Sequence, residues 1–363
     1  MTNNRLFLDV HVIQTLPPSN INRDDTGSPK TAQYGGVRRA RVSSQSWKRA
    51  MRKYFHDNSA ESNVGVRTLE VVRYIADKIQ QLDSSLEYED ALKKAEKVLN
   101  AANIKTKDQR ARALFFIGDT QAEALAKAGL EENTDKKELQ ALLKDNPAID
   151  IALFGRMVAD DPSLNEDASS QVAHAISTHA VQTEFDFYTA IDDHSVDNHA
   201  GAGMLGTLEY NSSTLYRYAN IAVHELLKQL EDQEAALNTV QLFIESFVNS
   251  MPTGKSNSYA NQTLPHAVVV ALRTDRPVSL VTAFEEPIRS NNGHVVLSIQ
   301  ELFNELGRVE RFVDQAEAVL YITLDGINLE NTANTDAAEE ENLRTLLSST
   351  KLKVSNLLSK PGD

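Results

Sequence analysis

A run of six apolar residues at 267–272 (A-V-V-V-A-L) most constrains how this chain can fold. A run so short and so rich in β-branched residues is typical of a strand in the core of a sheet. Residues 318–324 form a second such run, and residues 6–13 alternate with the period of two expected of a strand. Helical patterns lie at 44–56, 223–251, 279–288 and 298–312. Because strands and helices alternate along the chain, we predict an α+β fold.

Composition excludes several classes of protein. The chain has 363 residues, of which 41% are hydrophobic and 24% charged, as expected of a globular protein with about two domains. It contains no cysteine, which excludes disulfides, thiolate metal sites and a cysteine nucleophile. No apolar run approaches the roughly 18 residues of a membrane span, and no signal-peptide pattern precedes the first strand. We therefore expect a soluble, cytoplasmic protein with no cofactor, no metal and no membrane partner.

The region 66–145 is polar, has a helical pattern and contains no proline, so it predicts a helical insertion. Residues 149–154 (I-D-I-A-L-F) predict a strand. Residues 172–191 fit a strand or a helix, and we prefer a strand. Residues 192–213 are polar and rich in glycine, which predicts a long loop, and the polar tail after 330 contains one amphipathic helix.

Charge is distributed very unevenly along the chain. The net charge is −14, yet the first 56 residues carry ten basic side chains against the three acids Asp9, Asp24 and Asp25. Between residues 26 and 56 there are eight basic residues and no acidic one. A solvated surface normally mixes the two signs, so an uncompensated run of this length predicts an anion site.

The helix expected at 44–56 is amphipathic, with the basic side chains on one face and apolar side chains on the opposite face. At 100° per residue, Trp47 and Met51 lie on one face, and the basic side chains lie on the other. Ser43 is suited to cap the helix, and Ser44 and Gln45 add donors beside its amino terminus. That combination favours binding of phosphate groups.

Three other motifs are weak. The G-x-G-x-x-G match at 201–206 lies in the predicted loop, whereas a dinucleotide site needs a strand before it and a helix after it. Residues 254–256 (G-K-S) follow a helix and are better interpreted as a basic turn than as a phosphate-binding loop. His174 and His179 are five residues apart, a spacing that matches no metal or catalytic motif. Two alternatives stay open: a ribonuclease that uses His174 or His179 with nearby acids, and a small-molecule nucleotide-binding protein that uses 201–206.

Several segments resemble the CasC family, the backbone subunits of the type I-E CRISPR surveillance complex Cascade. They are N-R-D-D at 22–25, G-G-V-R-R-A-R-V-S-S-Q-S-W-K-R-A-M-R-K at 35–53, D-I-A-L-F-G-R-M at 150–157, A-H-A-I-S-T-H at 173–179, L-G-T at 205–207 and Y-R-Y-A-N at 216–220. The resemblance spans most of the chain in order. It is poor in the helical insertion and in the tail.

The resemblance implies a non-catalytic subunit shaped like a hand. Its palm is an RRM-like (ferredoxin-like) sheet, its fingers are the insertion at 66–145, and its thumb is the loop or hairpin at 192–213. The palm would comprise 1–65, 146–191 and 214–330, with a tail at 331–363. Copies stack head-to-tail as an open filament along one CRISPR RNA, beside other Cascade subunits, and the guide pairs with target DNA in antiviral defence.

The resemblance and the basic run together identify the candidate binding residues. The family contacts guide phosphates at positions that here are Arg23, Lys30, Gln45, Lys48, Arg49 and Arg52. The basic run adds Arg38, Arg39, Arg41 and Lys53 to this RNA-binding set. The resemblance also implies apolar wedges against a kinked nucleotide at Met157 and Leu205, and Met204 beside Leu205 on the polar loop fits this role. Apolar insertion between bases is a known way to kink nucleic acid.

Overall fold

The computed structural model describes residues 5–58, 63–189, 205–324, 327, 329 and 337–359. Its strands are, in chain order, β1 (Phe7–Ser19), β2 (Thr31–Tyr34), β3 (Val37–Val42), β4 (Val66–Thr68), β5 (Thr106–Lys107), β6 (Arg110–Ala111), β7 (Phe115–Ile117), β8 (Ser170–Val172), β9 (Ala175–Ser177), β10 (Glu184–Thr189), β11 (Leu205–Ala222), β12 (Ala267–Arg273), β13 (Ala318–Thr323) and β14 (Ala338–Glu339).

The helices follow the same order along the chain. They are α1 (Ser44–Asn58), α2 (Val71–Leu82), α3 (Tyr88–Ala101), α4 (Asp119–Leu130), α5 (Lys136–Lys144), α6 (Ile149–Phe154), α7 (Val223–Leu230), α8 (Gln233–Asn249), α9 (Ser256–Tyr259), α10 (Val295–Val309) and α11 (Leu343–Ser359). The mixture of strands and helices confirms the predicted α+β class. None of the helices in the described ranges is long and apolar enough to cross a membrane.

The chain divides into two compact units. We call them the sheet unit, comprising 1–51, 172–220 and 241–363, and the helical unit, comprising 52–171 and 221–240. The sheet unit carries most of the predicted basic residues. The helical unit contains the region at 66–145 where an insertion was expected.

The sheet unit contains the strand order β14-β13-β12-β1-β11-β9-β3-β2. β1 and β12 are antiparallel, with Val10 opposite Val270, and both strands are buried along almost their whole length. α10 covers one face, where Ile299 and Phe303 pack into the cluster that contains Val269. The apolar run at 267–272 is therefore a core strand, as predicted. Burial on both faces explains why it is continuous rather than alternating.

A two-stranded ribbon extends from the sheet unit where the thumb was expected. β10 pairs antiparallel with the first part of β11, from Glu184 opposite Tyr210 to Thr189 opposite Leu205. The predicted loop at 192–213 is therefore too long, because residues 205–213 belong to β11. Its remaining residues, 192–204, lie outside the described part of the chain.

The helical unit has its own core, formed mainly by α2, α3, α4 and α5. Val71, Ile75 and Ile79 recur every four residues on α2 and are fully buried, which fits one face of a helix. The strand predicted at 149–154 is wrong, because these residues form α6. Periodicity could not separate the two, since a short and largely buried run satisfies either structure.

In the sheet unit, the helix predicted at 279–288 is much shorter than expected. The structure forms only a short 3₁₀ turn there, Val281–Phe284.

Candidate nucleic-acid interface

The basic residues of the sheet unit are carried by three neighbouring pieces of backbone. Gly35 and Gly36 form the β2–β3 turn with φ of 57° and 74°, values that favour glycine and suit a tight hairpin. Lys30 precedes β2, and its amide donates to the carbonyl of Asn22 at 2.9 Å while its carbonyl accepts from the amide of Arg41 at 2.9 Å. β3 then leads directly into α1. These two hydrogen bonds place Lys30 beside both Asn22 and Arg41.

Lys30, Arg41 and His174 lie together on this surface. The Arg41 Nη1 atom is 3.0 Å from His174 Nδ1, and its Nε donates to the carbonyl of Thr31 at 3.3 Å. Burial, with further contributions from Arg41 and Lys30, lowers the pKa of His174. His174 is therefore neutral at pH 7, and its Nδ1 accepts a hydrogen bond from Arg41.

Five of the predicted basic residues that are at least partly exposed have no carboxylate partner within 4.0 Å among the described residues. They are Arg23, Lys30, Arg38, Arg41 and Arg49. Asp24 is next to Arg23 in the sequence. It accepts hydrogen bonds from Thr26 and Ser28 of its own loop, and these bonds lower its pKa. The positive charge of this surface is thus available to an anion.

α1 follows β3 and carries further residues of the predicted binding set on one side, while its other side packs into the core. Gln45 and Arg49 are exposed, and Lys48 is half-buried with a pKa lowered by desolvation. On the opposite side Trp47 is fully buried, with the Arg217 guanidinium 3.7 Å from its ring centre. Arg217 is itself buried and donates to the Gln14 side chain and to the carbonyl of Phe247. We call Arg23, Lys30, Arg38, Arg41, Gln45, Lys48 and Arg49, which all lie between residues 23 and 49 of the sheet unit, the basic strip.

Arg39 does not belong to the strip, which corrects the prediction that it binds RNA. It is completely buried, and its guanidinium donates to the carbonyls of Tyr34 at 3.1 Å, Ser177 at 3.0 Å and Phe284 at 2.7 Å. Burial lowers its pKa. Because its donors are used by the protein, Arg39 fastens the hairpin to its own sheet unit.

Arg52 and Lys53 lie further along α1, in the helical unit, and both have acidic partners. The Arg52 Nε atom is 2.9 Å from a carboxylate oxygen of Asp150, and its guanidinium lies 4.3 Å from the Phe116 ring centre. Asp150 is fully buried, and burial raises its pKa against the opposing effect of Arg52. Arg52 therefore stabilises a buried carboxylate. Lys53 pairs with Asp57 at 2.6 Å on the surface, a contact of small energy.

Met157 is held out into solvent by its neighbours. Its side chain is 84% exposed, whereas Arg156 and Val158 on either side are buried. The Arg156 guanidinium donates to the carbonyls of Leu164 at 3.1 Å and Leu143 at 2.8 Å. The amide of Val158 donates to the Asn165 side chain at 2.7 Å. A large apolar side chain on a fixed turn suits the predicted wedge.

The structure describes little of the other two predicted wedges. Met204 is outside the described residues, and only the backbone of Leu205 is described, at the start of β11. Sequence reasoning missed two aromatic side chains close by, Phe185 and Phe187, which are 65% and 66% exposed on β10. Their alternation with Glu184 and Asp186 was the signal that could have found them.

His179, the candidate of the ribonuclease hypothesis, is fully engaged by backbone. Its Nε2 accepts from the amide of Thr214 at 3.0 Å, so its Nδ1 carries the proton and donates to the carbonyl of Ala180 at 2.9 Å. Burial lowers its pKa to about 4, and it stacks on His294 with ring centres 3.8 Å apart. Neither nitrogen is available for proton transfer.

The described residues also offer little to a metal or a nucleotide. No group of three or more histidine or acidic side chains within those ranges could hold a metal ion. Of the motif at 201–206, residues 201–204 lie outside the described part of the chain. Gly254 of the G-K-S turn packs against the carbonyl of Ile21, which a Cβ would strike at 2.2 Å. That glycine is therefore explained by close backbone packing.

Comparisons with known proteins agree with this architecture. The chain matches the family model described as CT1975-like protein over residues 8–349. A solved structure titled CRISPR RNA-guided surveillance complex, pre-nicking, contains a chain that is 32% identical with a TM-score of 0.84, and the match covers 95% of this chain and 99% of that one. A second, titled CRISPR RNA-guided surveillance complex, contains a chain 29% identical with a TM-score of 0.65, covering 96% and 99% respectively.

No curated protein matches the sequence. The family model nevertheless spans nearly the whole chain, and the first solved structure shares its fold over almost its full length. The chain therefore belongs to the CT1975-like protein family.

Proposed function

We propose that this protein is a Cas7-type backbone subunit of a type I-E Cascade complex that binds CRISPR RNA and presents it for pairing with target DNA. The observation that carries the proposal is the basic strip, in which exposed Arg23, Arg38 and Arg49 and half-buried Lys30 and Arg41 lack carboxylate partners among the described residues. Membership of the CT1975-like family and the similarity to subunits of surveillance complexes support it.

The strip suits recognition of a phosphate backbone. Arginine and lysine contacts to phosphate position a nucleic acid without reading its sequence. In an RNA-guided complex the sequence is read by base pairing, so the protein needs only to hold the backbone of the guide. Such binding is electrostatic, so we expect it to weaken as salt concentration rises.

The proposed subunit acts in several copies. We propose that its sheet unit is an RRM-like palm and that copies stack head-to-tail, with the β10–β11 ribbon as the thumb. Met157, and Leu205 with Met204 on a neighbouring copy, would then wedge against the nucleic acid. The fixed exposure of Met157 supports this role, since an apolar side chain must be held rigidly to displace a base.

We further propose that the protein is not an enzyme. His179 has both ring nitrogens bound to backbone, and the Nδ1 atom of His174 lies 3.0 Å from the Arg41 guanidinium. A ribonuclease needs a base that can take up a proton and an acid that can release one. The observed hydrogen bonds therefore favour a scaffold over the ribonuclease alternative.

The direct experiment is to purify the protein from its host and sequence the RNA that accompanies it. We expect RNAs with a common repeat-derived segment and variable guide segments. A double variant, Arg41→Ala with Arg49→Ala, should lose this RNA, and Arg311→Ala, at an exposed site outside the strip, should retain it. Random cellular RNA, or equal RNA content in both variants, would contradict the proposal.

A further inference from the structure

A small polar cavity lies in the sheet unit next to the basic strip. Its lining includes Asn20, just after β1, Asn211 and Ser213 of β11, Lys30 and Arg41, together with apolar side chains such as Leu16 and Val42. Asn211 and Ser213 face the same way because they are two residues apart on a strand. The cavity has a volume of about 20 Å³, which is room for a single water-sized group.

Three of the polar side chains that line this cavity, those of Asn20, Asn211 and Ser213, are buried and incompletely hydrogen-bonded. Asn20, Asn211 and Ser213 are 2%, 7% and 3% exposed. The amide nitrogen of Asn20 donates to two backbone carbonyls at 2.9 Å each, but its Oδ1 accepts no hydrogen bond. Within the described chain, Asn211 Nδ2 and Ser213 Oγ also have no partner. Buried polar groups are rarely left unpaired, so three at one cavity point to a ligand.

The donors and acceptors around the cavity restrict the kind of chemical group that can bind there. Asn20 presents an acceptor, Asn211 a donor, and Ser213 can act as either. A hydroxyl group both donates and accepts and has the size of a water molecule, whereas a phosphate oxygen only accepts. Lys30 and Arg41, which also line the cavity, suit a phosphate next to that hydroxyl.

From this arrangement we propose that the cavity receives one ribose 2′-hydroxyl of the bound RNA strand. This inference rests on the proposed function and adds to it a means of distinguishing RNA from DNA. Phosphate contacts are common to both nucleic acids, but only RNA carries the 2′-hydroxyl. Asn20, Asn211 and Ser213 would then determine specificity, while the basic strip supplies affinity.

The test compares nucleic acids of one sequence on the purified full-length protein at fixed salt. Fluorescence anisotropy would give the affinities for single-stranded RNA, single-stranded DNA and 2′-O-methyl RNA. We expect RNA to bind at least about 10-fold more tightly than DNA. The 2′-O-methyl RNA should bind no better than DNA, because its methyl group exceeds the space.

Variants assign the preference to the cavity. Ser213→Ala and Asn211→Ala should each lower RNA affinity about 3- to 10-fold, the worth of one hydrogen bond, and leave DNA affinity unchanged. Ser212→Ala is the matched control, since that serine is exposed on the other face of β11. The melting temperature of free Ser213→Ala should be unchanged or higher, because the variant removes an unpaired buried hydroxyl.

Each outcome decides the matter. Tight but equal binding of RNA and DNA, or a loss shared by both in the variants, overturns the hydroxyl inference and leaves the proposed function standing. Binding of neither nucleic acid overturns both. A lower melting temperature in Ser213→Ala would overturn the inference too, by showing that the hydroxyl stabilises the fold.

Discussion

Replacing Arg39 with alanine tests whether this arginine stabilises the fold or binds RNA. The side chain is fully buried and donates four hydrogen bonds, the longest 3.3 Å to the carbonyl of Glu285. Hydrogen bonds from a charged group contribute roughly 1.5–3 kcal/mol each. Relaxation and water entry recover part of that sum, so we expect the free energy of unfolding to fall by about 3–5 kcal/mol.

The matched control is the neighbouring residue on the same strand. Arg38 is exposed, so Arg38→Ala should change the free energy of unfolding by less than about 0.5 kcal/mol and weaken RNA binding. Urea unfolding can be followed by the fluorescence of Trp47, the single tryptophan of the chain, which is buried in the sheet unit.

The measurement has one refuting result. If Arg39→Ala unfolds within about 1 kcal/mol of the wild type and loses RNA affinity as Arg38→Ala does, then Arg39 reaches the ligand. The hydrogen bonds assigned to it would then not form in solution.

Four further outcomes follow from the geometry. Removing Arg41 should reduce the slope of log K against log salt by about 0.7, because one phosphate contact is lost; an unchanged slope would contradict its place in the strip. Arg52→Ala should lower the free energy of unfolding by about 2–4 kcal/mol, since it leaves buried Asp150 unpaired, whereas unchanged urea stability would refute that role. Met157→Asp should leave the urea stability of the free protein within about 0.5 kcal/mol while impairing guide–target pairing in the assembled complex; the opposite pattern would make Met157 a core residue. His179 has a folded pKa of about 4, below the usual 6.5, so stability is lost as pH falls from 6.5 towards 4. Urea titrations at pH 7 and 4.5 should show that the free energy of unfolding falls less in His179→Asn than in the wild type, by up to about 3 kcal/mol. An equal fall in both proteins would show that His179 is not the group responsible.

Much of the architecture could be predicted from local pattern. The core strand at 267–272 and the helical pattern at 223–251 follow from short-range periodicity, and both are confirmed, although the structure divides the second into α7 and α8. The uncompensated basic run could also be found, because it is a property of composition along the chain. The helix α6 could not be predicted, since a run of six residues, five of them buried, fits either kind of element.

The roles of individual residues depended on distant parts of the chain. Arg38 and Arg39 are adjacent and chemically identical. Arg38 is exposed, whereas Arg39 donates to the backbone carbonyls of Ser177 and Phe284. A strand turns successive side chains to opposite faces, but only the tertiary structure decides which face is covered.

The same reason applies to the polar cavity. Asn20 lies almost two hundred residues from Asn211 and Ser213, and none of the three belongs to a recognisable motif. The sequence by itself determined that the chain is α+β and carries a localised positive charge, because these follow from neighbouring residues. Only the tertiary structure decided which polar groups lie buried without partners, because hydrogen-bond satisfaction depends on residues brought together by folding.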